Sequence, residues 1–200
     1  MSRKREQLLQ TGEALFVKHG MRRVTVEEIC RQSGVSKPTF YKYFENKAAL
    51  ARKIDERWIE EALQRIDEIE EAEVPFPEKL RQILVVKQGI SARPGPEFLE
   101  DLIPLDIDLG YALQRVMRFL VRGQEQGDIR PDVRPEVLMA AFNLLNSMQH
   151  DPSIRGLYED AETLAGDVFR LFHYGALSAH HREAGLPGAD AGPIAEELCR

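Results

Sequence analysis

Apolar residues recur every three or four positions along almost the whole chain, and no stretch sustains an alternation of apolar and polar residues. This pattern predicts helices throughout and an all-α fold. Leu8, Leu15, Phe16 and His19 share one face of a first helix that Gly20 ends. A second helix is expected over about 26–33. Thr25, with Glu28 three residues on, has the spacing of a capping box, and Gly34 suits the turn that follows. Ser36 then caps a short helix through about Phe44, with Pro38 in its first turn, where a missing N–H costs little. Leu50, Ile54, Trp58, Ala62, Ile66 and Ile69 step along one stripe of a long helix over about 46–70, which Val74-Pro-Phe-Pro77 breaks.

Beyond that break the pattern predicts helices at about 77–91, 96–103, 106–126, 135–149 and 157–181, punctuated by Pro and Gly. Val137 to Phe142 cover every side of the 135–149 helix, so it must be buried on more than one side. The 157–181 helix also has a broad apolar sector. Two such helices exceed the needs of one small core, and a second subunit is the expected sink for the surplus. Residues 184–200, rich in Gly, Ala and Pro, are expected to form a mobile tail.

Composition narrows the class. With 200 residues, 43% hydrophobic and 30% charged, the chain can bury a sizeable core without a metal or disulfide staple. Two cysteines, Cys30 and Cys199, cannot make a disulfide framework and point to a reducing compartment. The longest apolar run, Val137–Phe142, is far short of the about 20 residues of a membrane span. No apolar run follows the basic Arg3-Lys4-Arg5, so a secretory signal is not expected. Charge is unevenly placed. Residues 1–65 carry 14 Lys+Arg against 9 Asp+Glu, a net of +5, and residues 66–200 carry a net of −11. A basic head on an acidic body suggests that the head alone meets a polyanion.

The chemistry concentrates at 25–47. A capped helix, a short turn with Gly34 and a second capped helix make a helix-turn-helix, with Ile29, Val35, Phe40 and Phe44 locking the pair. Lys37, Thr39, Tyr41, Lys42 and Tyr43 are left to face outward from the second helix, the part that would enter a major groove. Ser36, Thr39 and the tyrosines can donate to phosphates or base edges, and Lys37, Lys42 and Lys47 can neutralise phosphates.

Across residues 3–65 the run G20-x4-T25-V-x-x-I29-x4-G34-V-S-x-P-T-F-Y41-x-Y-F44-x-x-K47-x-x-L50 resembles the DNA-binding domain of TetR-family transcriptional regulators. The resemblance implies that Thr25 contacts a phosphate, that Lys37, Pro38, Thr39, Tyr41, Lys42 and Tyr43 face DNA, and that Lys47 grips a phosphate. Val26 and Glu27 stand where some members use polar or basic contacts, so base preference does not carry over. The resemblance further implies a helix-turn-helix DNA-binding domain over 1–65 (motif about 25–44) and a helical ligand-binding and dimerisation domain over 75–183. It implies a homodimer on a near-palindromic double-stranded DNA operator, an unidentified small-molecule effector and the bacterial cytoplasm.

Residues 75–200 carry no matching motif. Phe98, Leu102, Leu113, Met117, Leu120, Phe142 and Asn146 are the candidate lining of an effector pocket. Met139, Leu164, Val168, Leu171 and Phe172 are the candidate dimer contacts. Asn143, Asn146, Ser147 and His150 form a polar stripe, and Arg115, Arg118 and Arg122 another, both read as solvated faces. His173, His180 and His181 read as the surface end of a helix, and no metal or cofactor is expected. No nucleophile-elbow, zincin, dinucleotide or phosphate-loop pattern is present, so no enzyme is expected. The leading expectation is a ligand-responsive repressor. The alternative is an all-helical enzyme or small-molecule carrier that keeps the helix-turn-helix as a fold element. A nucleoid-type DNA-coating protein fits the acidic body poorly.

Overall fold

The computed structural model describes residues 2–105, 107, 110–148 and 151–179, with the side chains of 91, 92, 146, 161 and 162 outside the described set. The expected tail 184–200 therefore lies outside the described residues, as do His150, His180, His181 and Cys199. The described elements are α1 (Arg3–His19), α2 (Val26–Ser33), α3 (Lys37–Tyr43), α4 (Lys47–Glu71), α5 (Phe76–Ala92), α6 (Gly95–Leu102), a 3-10 turn (Ile103–Leu105), α7 (Gly110–Glu125), α8 (Pro135–Ser147), α9 (Pro152–Arg155) and α10 (Ala161–Ala176). One isolated antiparallel bridge joins Ile129 and Leu177. The fold is all-α. None of the described helices is long and apolar enough to cross a membrane.

The chain divides into two units. The first holds residues 1–64 together with 89–109, and the second holds 65–88 with 110–200. The linear division expected between 65 and 75 thus takes no account of 89–109.

In the first unit, α1 buries Leu8, Leu9, Leu15 and Phe16 along one face. Gly12 lies on the same face because a Cβ there would stand 2.6 Å from Leu50 Cδ2, so α1 and α4 approach more closely than any side chain allows. Leu50, Ala51, Ile54 and Trp58 carry the matching face of α4. Polar bonds seal this crossing. The Trp58 indole N–H donates to Glu13 Oε1 at 2.8 Å, and the Arg57 guanidinium pairs with Glu6 and Glu13. Helix α6 completes the unit. Phe98 is fully buried with its ring 5.3 Å from Phe16 and 5.9 Å from Trp58, and Leu102 joins the same core. Asp101, also buried, accepts from the Arg22 backbone N–H at 3.0 Å and pairs with its guanidinium at 2.8 Å.

In the second unit, α8 and α10 meet through Phe142 and Phe172, whose rings pack edge to face at 5.1 Å. Phe76 and Phe119 stack at 5.3 Å between α5 and α7. The last helix is shorter than the expected 157–181. Asp160 caps it by accepting from Thr163 N–H at 2.7 Å, which sets the start at Ala161. It ends at Ala176 because Leu177 turns extended and pairs with Ile129. His173 is buried against Phe169, contrary to the expected surface end. The arginine stripe is not merely solvated either. Arg115 pairs with Asp67 and Arg122 with Glu70, tying α7 to the end of α4.

Candidate DNA-binding surface

The recognition motif is built by local rules. Thr25 Oγ1 accepts from Glu28 N–H at 3.2 Å and starts α2. Gly34, with φ +68°, takes the left-handed conformation that closes α2, and its N–H and that of Val35 return to the Cys30 carbonyl. Ser36 is the residue before α3, but its side chain makes no cap to the backbone. Pro38 has removed one N–H of the first turn, and the Ser36 hydroxyl bonds the Thr39 hydroxyl at 2.9 Å instead. Ile29, Val35, Phe40 and Phe44 are buried between the helices, as their spacing requires.

The opposite side of the motif carries the candidate DNA contacts. Thr25, Ser36, Lys37, Pro38, Tyr41 and Lys42 are exposed, and Thr39 and Tyr43 are half-buried. Tyr41 leaves 55% of its surface to solvent while its ring edges against Phe40 at 5.4 Å, so it is both anchored and accessible. Tyr43 donates its O–H to Ser2 Oγ at 2.9 Å, and the Arg5 guanidinium lies over the Phe44 ring. The basic start of α1 is thereby tied to the end of α3, a link that sequence spacing did not reveal.

Two of the lysines expected to meet phosphates have partners within the fold. Lys47 was expected to grip a phosphate. Its ammonium donates to the carbonyls of Met21, Arg22 and Val24 at 2.7, 3.1 and 3.0 Å. An ammonium has three donors, and all three are spent on the turn that leads into Thr25. Lys47 therefore holds the frame of the motif. Lys37, the first residue of α3, pairs with Glu27 of α2. The hydrogen bond from Lys37 holds the Glu27 carboxyl below its usual range, and the same bond raises the Lys37 ammonium.

The pocket and dimer candidates are scattered. Phe98 and Leu102, two of the pocket candidates, belong to the core of the first unit with residues of α1 and α4. Leu113 is exposed, Met117 half-buried, and Leu120 and Phe142 buried in the second unit. Asn146 lies in α8 with its side chain outside the described residues. A cavity of about 270 Å³ in the second unit is lined by Glu70, Val74, Phe76, Lys79, Phe119, Arg122, Gly123, Gln126 and Asp128, none of them pocket candidates. Of the dimer candidates, Met139, Leu164, Val168 and Phe172 are buried within the single chain. Leu171 remains exposed, with Val137, Leu144 and Tyr174. Lys87 of α5 lies over the Phe142 ring at 4.3 Å and donates to Asn143 Oδ1 at 2.8 Å, so part of the polar stripe on α8 faces a partner helix.

Comparison with known proteins agrees with this geometry. Residues 8–54 match the family model of bacterial regulatory proteins of the tetR family. An uncharacterized HTH-type transcriptional regulator of Bacillus subtilis (strain 168), YerO, is 34% identical over 93 residues, 46% of this chain, and the match spans about a third (31%) of that protein's length. The HTH-type transcriptional repressor DhaR of Mycobacterium sp. (strain GP1) is 26% identical over 147 residues, 67% of this chain and 74% of that one. SmeT, the repressor of the Stenotrophomonas maltophilia multidrug efflux pump SmeDEF, has the same fold. The match has a TM-score of 0.64 at 18% identity, over 94% of this chain and 96% of that one, and SmeT's structure is also known in complex with triclosan. The capped helix pair and the left-handed glycine turn both fall within residues 8–54, the segment that matches the model of bacterial regulatory proteins of the tetR family.

Proposed function

We propose that this protein is a homodimeric transcriptional repressor that responds to a small molecule and inserts α3 into the major groove of a near-palindromic operator. One observation carries the reading. Lys37, Pro38, Tyr41 and Lys42 stand exposed on a short helix whose other side, Phe40, is locked into the core. A rigid helix presenting cations, hydroxyls and an aromatic edge is what base and phosphate contacts need. Thr25 and Ser36 supply further hydroxyl donors beside it, and Thr39 and Tyr43 flank them.

The second copy would cover the apolar residues that α8 and α10 leave exposed: Val137, Leu144, Leu171 and Tyr174. The names of relatives support a repressor, and the triclosan complex of SmeT supports a small-molecule effector. Helices α4 and α5 each continue from one unit into the other, and either is a covalent path by which an effector could reach the motif. A coupling of about 1–3 kcal/mol suffices for a useful switch.

Selection of bound duplexes from a random DNA library at physiological salt tests the proposal. An inverted repeat is expected, with half-site centres about 34–36 Å or a multiple apart. A folded protein that enriches no duplex, with or without candidate effectors, would overturn it.

A further inference from the structure

Glu27 is out of place on a surface meant for phosphates. It lies on α2 two residues after Thr25, on a basic head, with its carboxylate exposed. There it pairs with Lys37, the first residue of α3. Folding has little use for the pair, because both side chains are at least half exposed and such pairs add little to stability. For contact with the phosphate backbone the carboxylate is a liability, since it repels phosphate and cancels the charge of Lys37. The arrangement makes sense if the target is a base edge. An ammonium with one donor on Glu27 keeps two donors, and a carboxylate with one bond accepted keeps open lone pairs. Donor and acceptor then stand side by side. A G·C pair shows the complement in the major groove: guanine O6 and N7 accept, and the adjacent cytosine N4 donates.

We propose that Glu27 is a specificity-determining residue of the DNA interface, which orients Lys37 toward guanine, accepts from the paired cytosine, and so selects a G·C pair in each half-site. The proposal rests on the DNA-binding reading above. It also explains how the head avoids spending Lys37 on phosphates that carry no sequence information.

The test uses the full chain and the duplex enriched by selection. The contacted base pair is the one whose preference Lys37→Ala flattens. Binding of the unaltered protein, Glu27→Ala and Glu27→Gln is then measured by fluorescence anisotropy on four duplexes differing at that pair, and on a random duplex over a range of salt. The unaltered protein is expected to favour G·C about tenfold. Both Glu27 variants should lose most of that preference, bind the random duplex more tightly, and steepen the salt dependence by up to about 0.9 in log–log slope as Lys37 turns to phosphate. Melting curves establish that the variants fold. The proposal is overturned if the flattened position is not G·C, if Lys37→Ala flattens none, or if the Glu27 variants keep the preference and the slope. Enrichment that survives those variants leaves the regulator standing, whereas a lack of any enrichment by the unaltered protein removes both readings.

Discussion

At the residue scale, exposure and hydrogen bonding separate side chains that the motif groups together. Tyr41 and Lys47 both belong to the family pattern, yet one is presented outward and the other is consumed by three carbonyls. Replacing Lys47 with Met should cost about 2 kcal/mol of stability, because charge-assisted bonds to the 21–24 turn are lost and its carbonyls are left to water. Urea unfolding measures this, and an unchanged midpoint would refute the framing role. Tyr41→Ala should leave stability within about 0.5 kcal/mol and weaken operator binding about tenfold. The motif's spacing made Thr25, Lys37 and Tyr41 legible as a group. It could not show how Lys47 spends its donors, because those acceptors lie more than 20 residues away on backbone atoms that spacing does not describe.

At the element scale, helices were readable wherever their ends are set by local groups. Thr25, Gly34 and Asn46 mark boundaries with bonds to residues three to five positions away, and α2, α3 and α4 begin and end close to where the pattern puts them. The last helix starts at Ala161, four residues after the 157 that periodicity predicts, because the Asp160 side chain caps it through Thr163 N–H. Pairing between elements was not readable. Lys87 joins α5 to α8 through Asn143 and Phe142, and burial pushes its ammonium down to about 8 from an ordinary value near 10.5. Below about pH 8 both folded and unfolded chains hold the proton, and the cost of burying the charge is fully present. Between about 8 and 10.5 the folded chain has released it while the unfolded chain has not, so stability rises with pH, on the order of 1 kcal/mol per unit. Lys87→Met removes this contribution. Thermal melts at pH 7 and 9.5 should show the stability gap between the variant and the unaltered protein narrowing at the higher pH, and a constant gap would refute the assignment.

At the scale of the whole molecule, the question is which apolar surface each unit leaves over. Val137, Leu144, Leu171 and Tyr174 are exposed on α8 and α10, while Phe172, next in sequence to Leu171, is buried against Phe142. Leu171→Asp should therefore fold normally and sediment as a monomer, with operator binding weakened along with the dimer. Phe172→Ala should instead cost about 3–5 kcal/mol of folding stability. If Leu171→Asp remains a dimer by sedimentation velocity, the proposed face is wrong.

The amino-acid pattern alone determined the all-α fold, the helix-turn-helix over 25–44 and the outward placing of Lys37, Tyr41 and Lys42 on its second helix. Those features depend on caps, a glycine turn and a 3.6-residue period, all confined to a few consecutive turns. Tertiary structure decided what periodicity cannot express, which is the neighbour each face meets. It put Phe98, Asp101 and Leu102 of α6 into the first unit, spent Lys47 on a turn and Lys37 on Glu27. It buried four of the five expected dimer contacts while leaving Leu171 in solvent. A helical stripe states that a residue is to be covered, and only packing among elements distant in sequence determines what covers it.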